Sequence, residues 1–156
     1  MAGAESAGHE PGPAQRAAAG PRTAGHEAEY ELLLEMILEG SRLHYGAPWV
    51  VSDDDPDLAL LLGDQLYALG LSRLAELGDL EAVAELADVI SLEAAARAAG
   101  DDELATAIWG AGTVAIGWGA GDAHANAKQL ARSGDGSARR ALQEAARAAP
   151  AGHRGS

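Results

Sequence analysis

Cysteine and phenylalanine are both missing from this chain, and cations are scarce. Its 156 residues hold 11 Lys plus Arg against 24 Asp plus Glu, a formal net charge of -13. Without cysteine there can be no disulfide, thiolate nucleophile or Cys-type zinc site, which suits a reducing, cytoplasmic setting. Nucleic-acid backbones demand clustered cations, so DNA and RNA are excluded as natural partners. An anionic membrane surface is disfavoured for the same reason. With three Trp and three Tyr as the only large aromatics, the core must come from Leu, Val, Ile and Ala. Apolar residues reach 47%, but much of that is alanine, which buries little area per residue. Such a core is thin, and a partner covering part of it would help.

Long hydrophobic runs are also few. The first 26 residues have no basic start leading into an apolar stretch, so they do not read as a secretory signal. Their Ala, Gly and Pro content predicts a disordered tail over 1–26. The uncharged run Leu104–Gly121 holds five glycines and has acidic flanks, which predicts a buried core helix and no membrane span. Trp49-Val50-Val51 is too short for a strand to matter.

What is present is helical. Tyr30, Leu33, Leu34, Ile37 and Leu38 recur at three- and four-residue steps from about Glu27. Asp55 then reads as an N-cap with Pro56 in the first turn. From Pro56 to about Leu77 the helix is apolar nearly all round, which places it at the centre of a bundle or in an oligomer interface. Gly78-Asp79 and Gly100-Asp101 each supply a stop followed by a cap. The helix from Leu80 to about Ala99 should bury Leu80, Val83, Leu86, Ala87, Ile90 and Ala94, with Glu81, Glu85 and Asp88 wet. Trp109 and Trp118 lie on opposite sides of the next helix, which should be covered on both faces. A helical domain over 27–149, all-α with about five to six helices in a small bundle, is thus expected, with a second disordered tail over 150–156.

The segment Ala59-Leu60-Leu61-Leu62-Gly63-Asp64-Gln65-Leu66-Tyr67-Ala68 resembles a signature of the polyprenyl (isoprenyl diphosphate) synthases. Its continuation, Leu74-Ala75-Glu76-Leu77-Gly78-Asp79 and Leu86-Ala87-Asp88-Val89-Ile90-Ser91-Leu92-Glu93, is similar too. The likeness covers Leu58 to Ala95, about a quarter of the chain. It implies a truncated isoprenoid-synthase-like bundle whose matching helices form much of a homodimer interface. In that family two aspartate-rich motifs bind Mg²⁺ and diphosphate. Asp53, Asp54 and Asp57 match the letters of the first motif, but Pro56 stands inside it. A proline in a helix interior costs about 3 kcal/mol, so a helix should begin there and leave Asp53 and Asp54 outside it. No second aspartate-rich motif follows.

The residue reading therefore argues against catalysis and names no cofactor or metal. The scattered histidines show no ligand spacing. Leu62, Gly63, Asp64, Leu66, Leu77, Gly78, Asp79, Leu86 and Ile90 are the interface or structural candidates. Asp64, alone on an apolar helix, needs a partner such as Arg42, Arg73 or Arg97, or else marks an interface or pocket. Gly117 and Gly121 suggest close helix packing. Three functions follow: a non-catalytic subunit pairing with itself or with a full-length prenyl diphosphate synthase; an unrelated helical interaction module; or a binder of an isoprenoid or other apolar ligand.

Overall fold

Helix after helix in this chain starts on an aspartate and stops on a glycine. The computed structural model describes residues 11–46 and 55–154. Among these are seven α-helices: α1 (Pro13–Ala18), α2 (Glu27–Tyr45), α3 (Pro56–Glu76), α4 (Leu80–Ala98), α5 (Asp102–Trp118), α6 (Asp122–Arg132) and α7 (Ala138–Arg154). A 3-10 turn, Pro21–Thr23, links α1 to α2. Asp55, Asp79 and Asp101 each accept a hydrogen bond from a backbone N–H two or three residues on, capping α3, α4 and α5. Gly78 and Gly100 adopt the left-handed conformation (φ +85° and +73°). The next N–H then bonds back into the finished helix, Asp79 to Leu74 O at 3.3 Å and Asp101 to Ala96 O at 2.9 Å. α3 does begin at Pro56, with Asp57 in its exposed first turn.

Of the two places open to Pro56–Leu77, the bundle centre and an oligomer interface, the first is ruled out. α5 holds that place: eleven of its 17 residues are buried, and α1, α4, α6, α7 and the 3-10 turn all pack on it. Among the described residues no helix is long and apolar enough to cross a membrane. α3 instead lies at the edge, packed along α2 and touching α4 much less. It buries only Ala59, Gly63, Gly70 and Leu74.

Three further expectations need correction. Residues 12–26 are not a tail. α1 buries Ala14, Ala17 and Ala18, and the small residues that suggested disorder permit backbone-to-backbone contact: a Cβ on Gly20 would stand 2.2 Å from Gly117 O. Gly117 thus is a close-packing residue, as its spacing suggested, whereas Gly121 has nothing within 4 Å of where a Cβ would stand. The α4 stripe is rotated. Leu86 is buried and Ile90 half-buried, but Leu80, Ala87 and Ala94 are exposed, while Glu85 and Glu93 are buried with Ala82, Val89, Leu92 and Ala96. Finally, α7 continues past 150 to Arg154.

Candidate functional site

Glycine sets how α2 and α3 meet. A Cβ on Gly63 would lie 2.7 Å from His44 Cδ2 and 3.0 Å from Gly40 O, and one on Gly70 would lie 2.5 Å from Ile37 Cγ1. The two backbones therefore approach closely, and Gly63-Asp64 works as a unit. The glycine admits α2, and the next residue pairs with its C-terminal turn. Asp64 Oδ1 lies 2.8 Å from His44 Nε2, and the His44 ring stacks on Tyr67 with 5.1 Å between centroids. None of the three expected arginines is the partner. The Asp64 side chain is 69% exposed, so it is not the costly buried charge its apolar neighbourhood implied.

Behind this pair lies a buried carboxylate that sequence reasoning missed. Glu93 accepts hydrogen bonds from Ser41 Oγ (2.9 and 2.8 Å), from Trp109 Nε1 (2.9 Å) and from Arg97 Nη2 (3.0 Å). Arg97 also lies 5.0 Å from the Tyr45 ring centroid and donates to Asp102. Burial above all, then the Glu93 charge, pushes the Tyr67 phenol well up. With both oxygens engaged, Glu93 ties α2, α4 and α5 together and is spent on structure. The four-residue step from Glu93 to Arg97 was the one signal available.

Asp79 is the second knot. Besides capping α4 it accepts from Arg22 Nη2 and Tyr30 Oη, each at 2.7 Å, and Arg22 Nη1 donates to Ile116 O at 2.8 Å. Burial raises the Asp79 carboxyl, but the bonds from Tyr30 and Arg22 outweigh it and hold the group below its ordinary value. Burial, then the bond to Asp79, pushes the Tyr30 hydroxyl up to about 12. A third knot, also missed, joins α4 to α6. Glu85 takes His124 Nε2 at 2.8 Å and Lys128 Nζ at 2.9 Å, and Asp88 takes Lys128 and Arg132 at 2.7 and 3.1 Å.

Among the described residues, a groove of about 450 Å³ lies uncovered between α2 and α3. Leu62, Gln65, Leu66 and Leu69 of α3 line one wall; Leu32, Met36, Glu35 and Glu39 of α2 line the other. Leu32, Leu61 and Leu69 are 63%, 55% and 43% exposed, with Leu58 and Leu60 similar. Leu62 and Leu66 therefore face the groove, Gly63 holds the helix pair, and Leu77 is exposed beside the Gly78 stop. Asp53 and Asp54 lie outside the described residues. Among the described residues, no three His, Asp or Glu side chains converge as metal ligands would. No family model, curated protein or solved structure matches the chain.

Proposed function

We propose that this chain is a non-catalytic helical subunit that works by associating with another helical protein through its α2/α3 face. One observation carries the reading: α3 is apolar nearly all round yet sits at the edge of the bundle, leaving a continuous leucine surface on water. Monomeric proteins rarely leave such a patch uncovered. The strip that resembles polyprenyl synthases includes all of this surface's α3 wall, and in that family it would serve dimerisation. That resemblance supports a full-length prenyl diphosphate synthase, or a second copy, as the associate. The leucines support an unrelated helical associate equally well.

Light scattering behind size-exclusion chromatography tests the reading, on the chain alone and co-expressed with a prenyl diphosphate synthase. Association that L58Q/L62Q/L69Q abolishes is the expected result. A chain that stays monomeric and ignores every synthase offered ends the synthase-subunit reading. The groove volume also suits an apolar ligand. Its Glu35 and Glu39 wall opposes a diphosphate head, however, so a thermal-shift screen with prenyl diphosphates plus Mg²⁺ should show no stabilisation.

A further inference from the structure

The stripe on α3 runs Leu58, Leu62, Leu66 and Leu69 without a charge, and Arg73 is the first cation beyond it. The rise from Leu58 to Leu69 is about 16 Å, roughly three turns of an incoming helix. Such a groove is the geometry of helix-in-groove recognition, read by apolar anchors at i, i+4 and i+7. The opposite wall adds sign. Glu35 Oε1 is shielded from solvent and ion-paired with Arg42 Nη2 at 3.6 Å, so the carboxylate is open to an incoming cation only through the rest of its 42%-exposed side chain. Arg42 also reaches Glu39, at 3.2 Å, and α2 carries Glu27, Glu29 and Glu31 as well.

Resting on the association reading above, we propose that the α2/α3 groove takes a cationic amphipathic helix of another protein, its leucine-type anchors on α3 and a Lys or Arg on Glu35. A second copy is the poorer occupant. Each copy would bring a net charge of -13 to the contact. The chain's own basic helix, α7, is engaged elsewhere: its stripe Ala138, Leu142 and Ala145 is buried, packed on α5 and α6.

The test uses the full chain and three labelled helical peptides of about eighteen residues, followed by fluorescence anisotropy. One pairs Leu anchors with Lys, one pairs the same anchors with Glu, and one keeps Lys but replaces Leu by Ala. The Leu/Lys peptide should bind, L62Q/L69Q should weaken it at least about tenfold, and E35Q about fivefold. E81Q, on an exposed residue away from the groove, should leave binding unchanged. Equal weakening by E81Q, or equal binding of the Leu/Glu peptide, overturns the charge assignment while leaving the association surface standing. A dimer dissolved by L62Q/L69Q makes the second copy the occupant and overturns this proposal alone. A monomer that binds no peptide and no synthase removes both readings.

Discussion

Glu93 has no water to fall back on, and its three partners come from α2, α4 and α5. Removing one member of a buried charged network leaves the others unpaired, so Glu93→Ala should cost about 3–5 kcal/mol in urea unfolding. Trp109 emission should shift to the red in the same experiment as its ring loses its acceptor. The pH dependence has a definite sign. Burial pushes the Asp79 and Asp88 carboxyls up, but hydrogen bonds and cations outweigh it, and both titrate below their ordinary 3.8. A depressed carboxylate stabilises the fold above its unfolded pKa and loses that contribution as pH falls through the folded one. Stability should therefore drop below about pH 4, and Asp79→Asn, which still offers a cap acceptor, should flatten the drop. At the alkaline end Tyr30, raised from 10.0 to about 12, holds its contribution up to pH 10 and releases it over the interval between those values. Tyrosine absorbance across a base titration would show the delayed ionisation. Of these residues Asp79 was legible as a cap. Arg22 was not, because it sits in a stretch whose composition reads as tail. Glu85 was not, because its partners lie 39 and 43 residues away; Glu93 showed only its four-residue step to Arg97, since Ser41 and Trp109 lie 52 and 16 residues away.

At the scale of one helix, α5 offers two glycine substitutions of opposite sign. Gly110 has open space where a Cβ would go, whereas a Cβ at Gly117 would stand 2.8 Å from Ala17 O. Gly110→Ala should stabilise by about 0.5–1 kcal/mol through helix propensity alone. Gly117→Ala should destabilise by about 1–3 kcal/mol, because a backbone must move to admit it. Thermal melts of the two variants side by side decide this. On α3 the contrast is between faces. Leu61→Gln, on the outer side, should change stability by no more than about 0.5 kcal/mol, while Leu74→Ala, fully buried, should cost about 2–5 kcal/mol. Starts of α3, α4 and α5, and stops of α3 and α4, could be read from Asp-Pro and Gly-Asp steps because capping is local chemistry. Which face of α3 would stay wet could not be read. A helix apolar on every side carries no period, and the deciding fact is which neighbour arrives.

For the molecule as a whole, the stretch from Pro13 to Thr23 is part of the fold, and a chain lacking residues 1–23 should lose on the order of 3 kcal/mol from uncovered apolar area on α5. Circular dichroism of that deletion, melted beside the intact chain, measures it. All-helical architecture was legible from hydrophobic spacing; the bundle's centre and edge were not, since they depend on contacts between segments far apart in sequence. That distance has a consequence in time. α1 packs on both α2 and α5, yet α5 ends at Trp118, about a hundred residues after α1, so at cellular synthesis rates that second wall arrives roughly 5–20 s later. During that interval α1 has only α2 to lie against, and anything fused upstream of it stays tied to a half-seated helix.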